Sequence, residues 1–286
     1  MDTPDRSDWT PLHFASQQGH VEVVQLLLNH RADVLVCNDE NQTALHLASQ
    51  NGNSKLMRLL IDHDADSNAE DEDNETPLFQ ASKNGRVEAT RLLLECGATV
   101  NHRDWQKRTP LHAASENGRV GVARLLLDYG AEVDAQNVYS WTPLHLGSWT
   151  GNHEVVEILL DRGAEANAQN DSGWTPLHMA SQKGHLDIVR LLLSRGAIVD
   201  TREVDGETAL HLASYYGYYE IAEVLLKFNA DRAIKNKEGK TPFDLVTTED
   251  HTALAQLLIL PQVDEELVSG AVKTAEKRVE GGEIAQ

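Results

Sequence analysis

Thirteen histidines in 286 residues are enough to build a metal centre or a general-base site. Six of them, His13, His46, His112, His145, His178 and His211, hold the fourth place of a tetrapeptide that begins with threonine. Ligands of one metal ion, or members of one proton relay, must converge within a few ångströms. Copies of one position in a periodic chain are carried apart instead, one unit per copy. The sequence has no H-E-x-x-H pair, no Cys/His cluster at zinc spacing, no G-x-x-x-x-G-K-S/T phosphate loop and no G-x-S-x-G elbow. Serine, histidine and carboxylates are plentiful, but plenty is not a triad. No catalytic residue, metal ligand or cofactor site is expected.

The tetrapeptide itself carries the organisation. It starts at Thr10, Thr43, Thr76, Thr109, Thr142, Thr175, Thr208 and Thr241, always 33 residues apart, and reads Thr-Pro-Leu-His in most copies, as at 109–112 and 175–178. A strict period of that length predicts a stack of supersecondary units. In the unit from Thr175, the threonine caps a short helix with Pro176 in its first turn, where the missing N–H costs nothing. Leu177, Met179 and Ala180 supply apolar contacts, and Gly184 ends the helix. A second helix follows, apolar around most of its circumference (Leu186, Ile188, Val189, Leu191, Leu192, Leu193), and stops at Gly196. A polar, turn-rich segment such as 170–173 leads to the next threonine. One helix pair cannot hide its own leucines, so neighbouring pairs must cover them. The fold class expected is an all-α solenoid.

These residues resemble the ankyrin repeat, whose signature is T-P-L-H-x-A at a 33-residue period. The resemblance runs from about Asp5 to about Leu260 and gives a repeat domain over 1–260, followed by a charged tail over 261–286 with a weak helix near Val268 to Val279. It implies L-shaped units of two antiparallel helices, with β-turn loops projecting as fingers. Fingertips and first helices would line a concave surface that grips another protein, and the motif histidine would bond across to neighbouring loops. Several positions depart from the pattern. Ala44 and Ala209 replace the motif proline, and Phe79 replaces the histidine. Gly97, Gly130, Gly163 and Gly196 close four second helices, but Arg31, Asp64 and Asn229 stand at the equivalent place. Arg and Asp in a left-handed conformation cost roughly 1 kcal/mol each, so repeats 1 and 2 are expected to open before repeats 4 to 6. The last unit (Thr241 to Leu245, then Leu254, Ala255, Leu257 and Leu258, with Asp250 at its turn) fits a closing repeat. The first keeps a full apolar set, including Leu12, Phe14, Val24 and Leu26, with few residues before it.

The resemblance also places the aromatics. Trp9, Trp141 and Trp174 directly precede the motif threonine, Trp105 and Tyr139 lie in fingertips, and Trp149, Tyr215 and Tyr216 lie late on first helices. Trp9 is expected to pack on its own loop. Trp105, Tyr139, Trp141, Trp149, Trp174, Tyr215 and Tyr216 are expected to share one partner-binding surface over repeats 4 to 7, because Trp and Tyr dominate binding hot spots. Arg108 and Lys183 lie on the same expected surface, ready to meet an acidic group of the partner. Asn68, Asn101 and Asn167 resemble the asparagine hydroxylated in some animal ankyrin repeats, and Asp134 and Asp200 take that place elsewhere.

The formal charge is −20. Residues 1–75 hold 15 acids and 4 bases, leaving −11, with 70–73 (Glu-Asp-Glu-Asp) as the densest run. Such a field repels nucleic acid and anionic membrane surfaces and speeds encounter with a basic segment. Two cysteines, Cys37 and Cys96, form no disulfide framework, which fits a reducing interior, cytoplasmic or nuclear. No stretch reads as a signal peptide or membrane span. The expectation is a monomeric, non-catalytic interaction module for a protein partner with a basic segment. The alternative is the sensing or substrate-recognition arm of a larger signalling or ubiquitin-ligase protein.

Overall fold

The computed structural model describes residues 3–246 and 252–259. Seven helix pairs recur in it at the 33-residue period. The first helices are α1 (Pro11–Gln17), α3 (Ala44–Asn51), α5 (Pro77–Lys83), α7 (Pro110–Glu116), α9 (Pro143–Thr150), α11 (Pro176–Lys183) and α13 (Ala209–Tyr215). The second helices are α2 (Val21–Asn29), α4 (Ser54–Asp62), α6 (Val87–Glu95), α8 (Val120–Asp128), α10 (His153–Asp161), α12 (Leu186–Ser194) and α14 (Tyr219–Lys227). A 3-10 turn, Phe243–Leu245, and α15 (Thr252–Ile259) complete the described chain, which contains no strand. Each first helix packs on the first helices before and after it and on its own partner, while second helices pack on their nearest equivalents. One continuous core results, from Leu12 to Leu258, with every buried face shared between neighbours.

Threonine and histidine hold each first helix at its start. In six units the threonine N–H donates to the histidine Nδ1 at 3.0–3.2 Å. That is a capping box with histidine in the place usually held by Glu or Gln. With Nδ1 accepting, the proton sits on Nε2, which donates to a backbone carbonyl further along the stack. The acceptors are Val36, Glu75, Trp141, Trp174, Glu207 and Lys240, at 3.0–3.3 Å. Burial disfavours a charged ring. It pushes His112, His145 and His178 down to about 4, and lowers His13, His46 and His211 as well, although the carbonyl contacts oppose it.

The fingers close with equal economy. Asp5, Asn38, Asp71, Asp104, Asn137, Asn170 and Asn236 each accept two backbone N–H bonds through one side-chain oxygen, from residues two and four further on. Glu203 does the same work with one bond, to Glu207. Between neighbouring fingers runs a ladder of single main-chain bonds. Asp39 donates to Ser7, Glu72 to Glu40, Trp105 to Asp73, Val138 to Gln106, Asp171 to Tyr139, Val204 to Ser172 and Lys237 to Asp205.

The left-handed positions fall where the glycine pattern places them. Arg31 (φ 63°), Asp64 (φ 69°) and Asn229 (φ 64°) adopt the conformation that Gly97, Gly130, Gly163 and Gly196 take elsewhere. At the first unit, Phe14, Val23 and Leu26 stand exposed. With about 1 kcal/mol of backbone strain at each of Arg31 and Asp64, amide exchange in α2 and α4 is expected to outpace exchange in α8, α10 and α12. Uniform protection along the stack would sink that expectation.

The last unit departs from the others. Its first helix shrinks to the 3-10 turn, where Asp244 Oδ2 accepts from the Thr241 N–H (2.8 Å) and hydroxyl (2.7 Å) in place of a histidine. In α15, Leu254 and Leu258 are buried against the core, and Leu257 is partly so. Asp250 and the whole tail over 261–286, with its weak helix, lie outside the described residues.

Candidate partner-binding site

The residue just before each motif threonine recurs on the finger side of the stack. In chain order these residues are Trp9, Gln42, Glu75, Arg108, Trp141, Trp174, Glu207 and Lys240. Five of them offer their carbonyls to the histidines above, so their positions are fixed by the frame while their side chains are free to vary. Where aromatics meet in this column, in repeats 5 and 6, a groove of about 430 Å³ opens to solvent. Tyr139 and Trp141 reach it from one finger, Trp149 from α9, Trp174 from the next finger and Met179 from α11. Trp141 and Trp149 meet edge to face with ring centroids 5.8 Å apart, a favoured geometry for indoles. Asn170, Asp171, Ser172 and Gln182 supply the polar part of the wall.

The other expected surface residues are placed as follows. Lys183 is exposed and sets its ammonium 3.7 Å from the centroid of the Trp149 ring. Tyr216 meets Gln182 through its hydroxyl (3.3 Å) and Tyr215 edge to face (5.0 Å); both tyrosines are exposed. Trp105 is 59% exposed at a finger apex and does not line the groove. Trp9 packs on its own loop, against Phe14 (5.1 Å) and His13 (6.0 Å).

Arg108 needs a correction. Its guanidinium is held inside the chain, by Asp104 (2.7 Å), Glu75 (3.3 Å) and Glu116 (3.7 Å), and it lies over the Phe79 ring at 5.4 Å. A cation shared by three carboxylates of its own chain has little left to offer a partner's acid. Phe79 explains the arrangement: it lacks the nitrogen that ties other first helices to the next finger, and Arg108 makes that tie instead. Burial raises the Glu75 pKa, partly offset by Lys83 (3.5 Å) and Arg108.

Asn68, Asn101 and Asn167 bridge units. Each accepts a backbone N–H from the next unit (Thr99 at 2.8 Å, Glu132 at 2.9 Å, Ile198 at 2.7 Å) and donates to the carbonyl of Gly97, Gly130 or Gly196. Asp134 and Asp200 keep the acceptor half, and burial raises both carboxyls. In the acidic run, Asp71 turns inward to close its finger, while Glu70, Glu72 and Asp73 face solvent. Asp39 and Glu40 are exposed on the neighbouring finger, which is tied to this one through the Glu72-to-Glu40 bond.

Two of the groove's working residues escape a search for aromatics. Gln182 stands 33 residues after Trp149 and 33 before Tyr215, so the period alone marks it as the same late first-helix position. Met179 lies three residues before it on the same helix face. Among the described residues, no group of three or more His, Cys, Asp and Glu side chains is arranged to hold a metal ion. No described helix is long and apolar enough to cross a membrane.

Comparison with known proteins agrees with this architecture. The family model for ankyrin repeats, three copies at a time, matches residues 12–104, 66–137, 103–170, 131–203, 163–236 and 198–268. No curated protein matches the chain. Among solved structures, the crystal structure of the human ASB11 ankyrin repeat domain is similar, with 28% sequence identity and a TM-score of 0.71, covering 78% of this chain and 100% of that one. The chain belongs to the ankyrin repeat family, whose repeats generally mediate protein–protein interaction.

Proposed function

We propose that this chain is a monomeric, non-catalytic binding module that holds a protein partner along the fingers and first helices of repeats 4 to 7. One observation carries the reading: Tyr139, Trp141, Trp149 and Trp174 converge from two fingers and one helix on a groove that nothing in the described chain fills. Tyr139 is exposed and the three indoles are half-buried, and aromatic surface gathered in one place is costly to leave in water unless a partner covers it. Trp105, Tyr215 and Tyr216 extend the patch to either side, and Lys183 adds a cation to it. Because the frame is clamped by main-chain bonds at every finger, little ordering entropy is lost on binding. The acidic fingertips of repeats 2 and 3 add a long-range field that draws in a basic segment and disfavours nucleic acid.

Proximity labelling in the native cell type, with this chain beside a variant carrying Trp105, Trp141, Trp149 and Tyr215 changed to Ala, tests the reading. Circular dichroism first confirms that both fold. Partners absent only from the variant are expected, with affinity for the principal one falling by at least about tenfold, as for loss of an aromatic hot spot. An unchanged partner list overturns the assignment of this face.

A further inference from the structure

The chemistry of the groove says what it takes. We infer that the groove between repeats 5 and 6 binds an arginine side chain of an extended basic peptide. The inference rests on the partner-binding reading above and narrows it to one kind of ligand.

Three features of the site converge. The first is the wall itself, in which three indoles and a phenol surround one space. Indole faces are the strongest aromatic hosts for a cation, and stacking there needs no pocket of fixed depth. The second lies beside the groove: the Lys183 ammonium sits 3.7 Å from the centroid of the Trp149 ring, one of the groove's own walls. No carboxylate draws it there, since no ion pair of Lys183 occurs among the described residues. The chain therefore displays, with its own side chain, what the ring attracts.

The third feature is the polar edge. Of the residues lining the groove, Asp171 alone carries a charge. Its carboxylate is exposed and accepts the Ser140 hydroxyl at 2.6 Å, and no cation of the described chain neutralises it. Gln182 offers a second acceptor: its Nε2 donates to the Tyr216 hydroxyl, while Oε1 is buried with no hydrogen-bond partner among the described residues. A buried acceptor left unpaired is costly, and a ligand donor that reaches it recovers that loss. A guanidinium suits these demands together. It is planar and weakly hydrated, so it stacks on indole, and its edge carries donors for both Asp171 and Gln182. An acidic ligand would meet Asp171 with like charge and leave Oε1 unpaired.

The test uses the full chain and four short peptides that differ at one central residue, Arg, citrulline, Lys or Glu, in a Gly/Ser background, with tryptophan emission as the readout. The Arg peptide is expected to bind, with the neutral, isosteric citrulline peptide about tenfold weaker. The sign of one exposed substitution separates the alternatives. Lys183→Gln removes a like charge beside the groove and is expected to strengthen the Arg peptide several-fold, whereas a groove built for an acid would lose affinity. Asp171→Asn, also exposed, is expected to weaken the Arg peptide several-fold. Citrulline binding as well as Arg, preference for the Glu peptide, weaker Arg binding by the Lys183→Gln chain, or no binding by any peptide each overturns the inference. None of these results touches the wider reading, which stands or falls on the proximity comparison.

Discussion

Acidification from about pH 6.5 to about pH 4 is expected to remove most of the stability of the stack, at a rate approaching about 4 kcal/mol per pH unit. The rate follows from three imidazoles. His112, His145 and His178 are buried with folded-state values of about 4, against 6.5 when solvated. Between those limits the unfolded chain binds protons that the folded chain refuses, so stability falls as pH falls, by about 1.4 kcal/mol per unit for each histidine. Above 6.5 these groups are neutral in both states and stability is flat. His13, His46 and His211 are shifted in the same direction and add to the slope. Glu75, Asp134, Asp200 and Glu207 oppose it, because burial raises their carboxyls and the folded chain takes up those protons first. Urea midpoints measured at several pH values across the window check the balance. His145→Gln should shed about one proton from the slope, and midpoints that do not move with pH would contradict the lowering of these histidines by burial.

Arg108→Ala is the second large effect, with an expected loss of about 3–4 kcal/mol. Removing the guanidinium leaves Asp104, 4% exposed, and Glu75, also 4% exposed, close to each other with no arginine between them. It also uncovers Phe79 at the one junction where no histidine ties the first helix to the next finger. Arg108→Lys should recover only part of the loss, because a point charge cannot satisfy two carboxylates with a planar fork. The pH dependence gives an independent sign. Without Arg108 the Glu75 carboxyl rises further, and a group whose folded-state value is raised gains stability as pH falls through that value. The variant should thus be less impaired near pH 5 than near pH 7. A midpoint within about 0.5 kcal/mol of the parent, the range of ordinary surface substitutions, would show that the ion pairs contribute little.

These two cases mark where the sequence is transparent and where it is not. Threonine, proline and glycine at fixed offsets act within one helix turn, so they locate the first helices and their ends, including the left-handed Arg31 and Asp64. The shrunken last unit was less visible, since Thr241-Pro242 keeps the start signal while Asp244 replaces the histidine. The inward role of Arg108 is hidden for a different reason. Its partners Glu75 and Glu116 lie 33 and 8 residues away, and only stacking brings the first of them within reach. A lone basic residue in a polar loop otherwise reads as a surface charge. Gln182 carries no aromatic ring to mark it, although its register matches Trp149 and Tyr215. The inward turn of Asp71 was hidden by the acidic run around it, yet Asn38, Asp104, Asn137 and Asn170 at the same offset make the role plain.

The fingers have a consequence for how such chains diverge. Seven of them are shut by one side-chain oxygen taking two main-chain N–H groups, and each neighbouring pair is joined by a main-chain bond whatever side chains stand there. The two apex residues of a finger therefore contribute backbone and almost nothing else to the frame. In this chain those places already hold Asp39 and Glu40, Trp105 and Gln106, Val138 and Tyr139, or Lys237 and Glu238, without any change in how the finger closes. After gene duplication, codons at the apices can drift under selection for a new ligand while the descendants remain folded at every step. Lineages of this architecture are free to exchange partners faster than they can lose their shape.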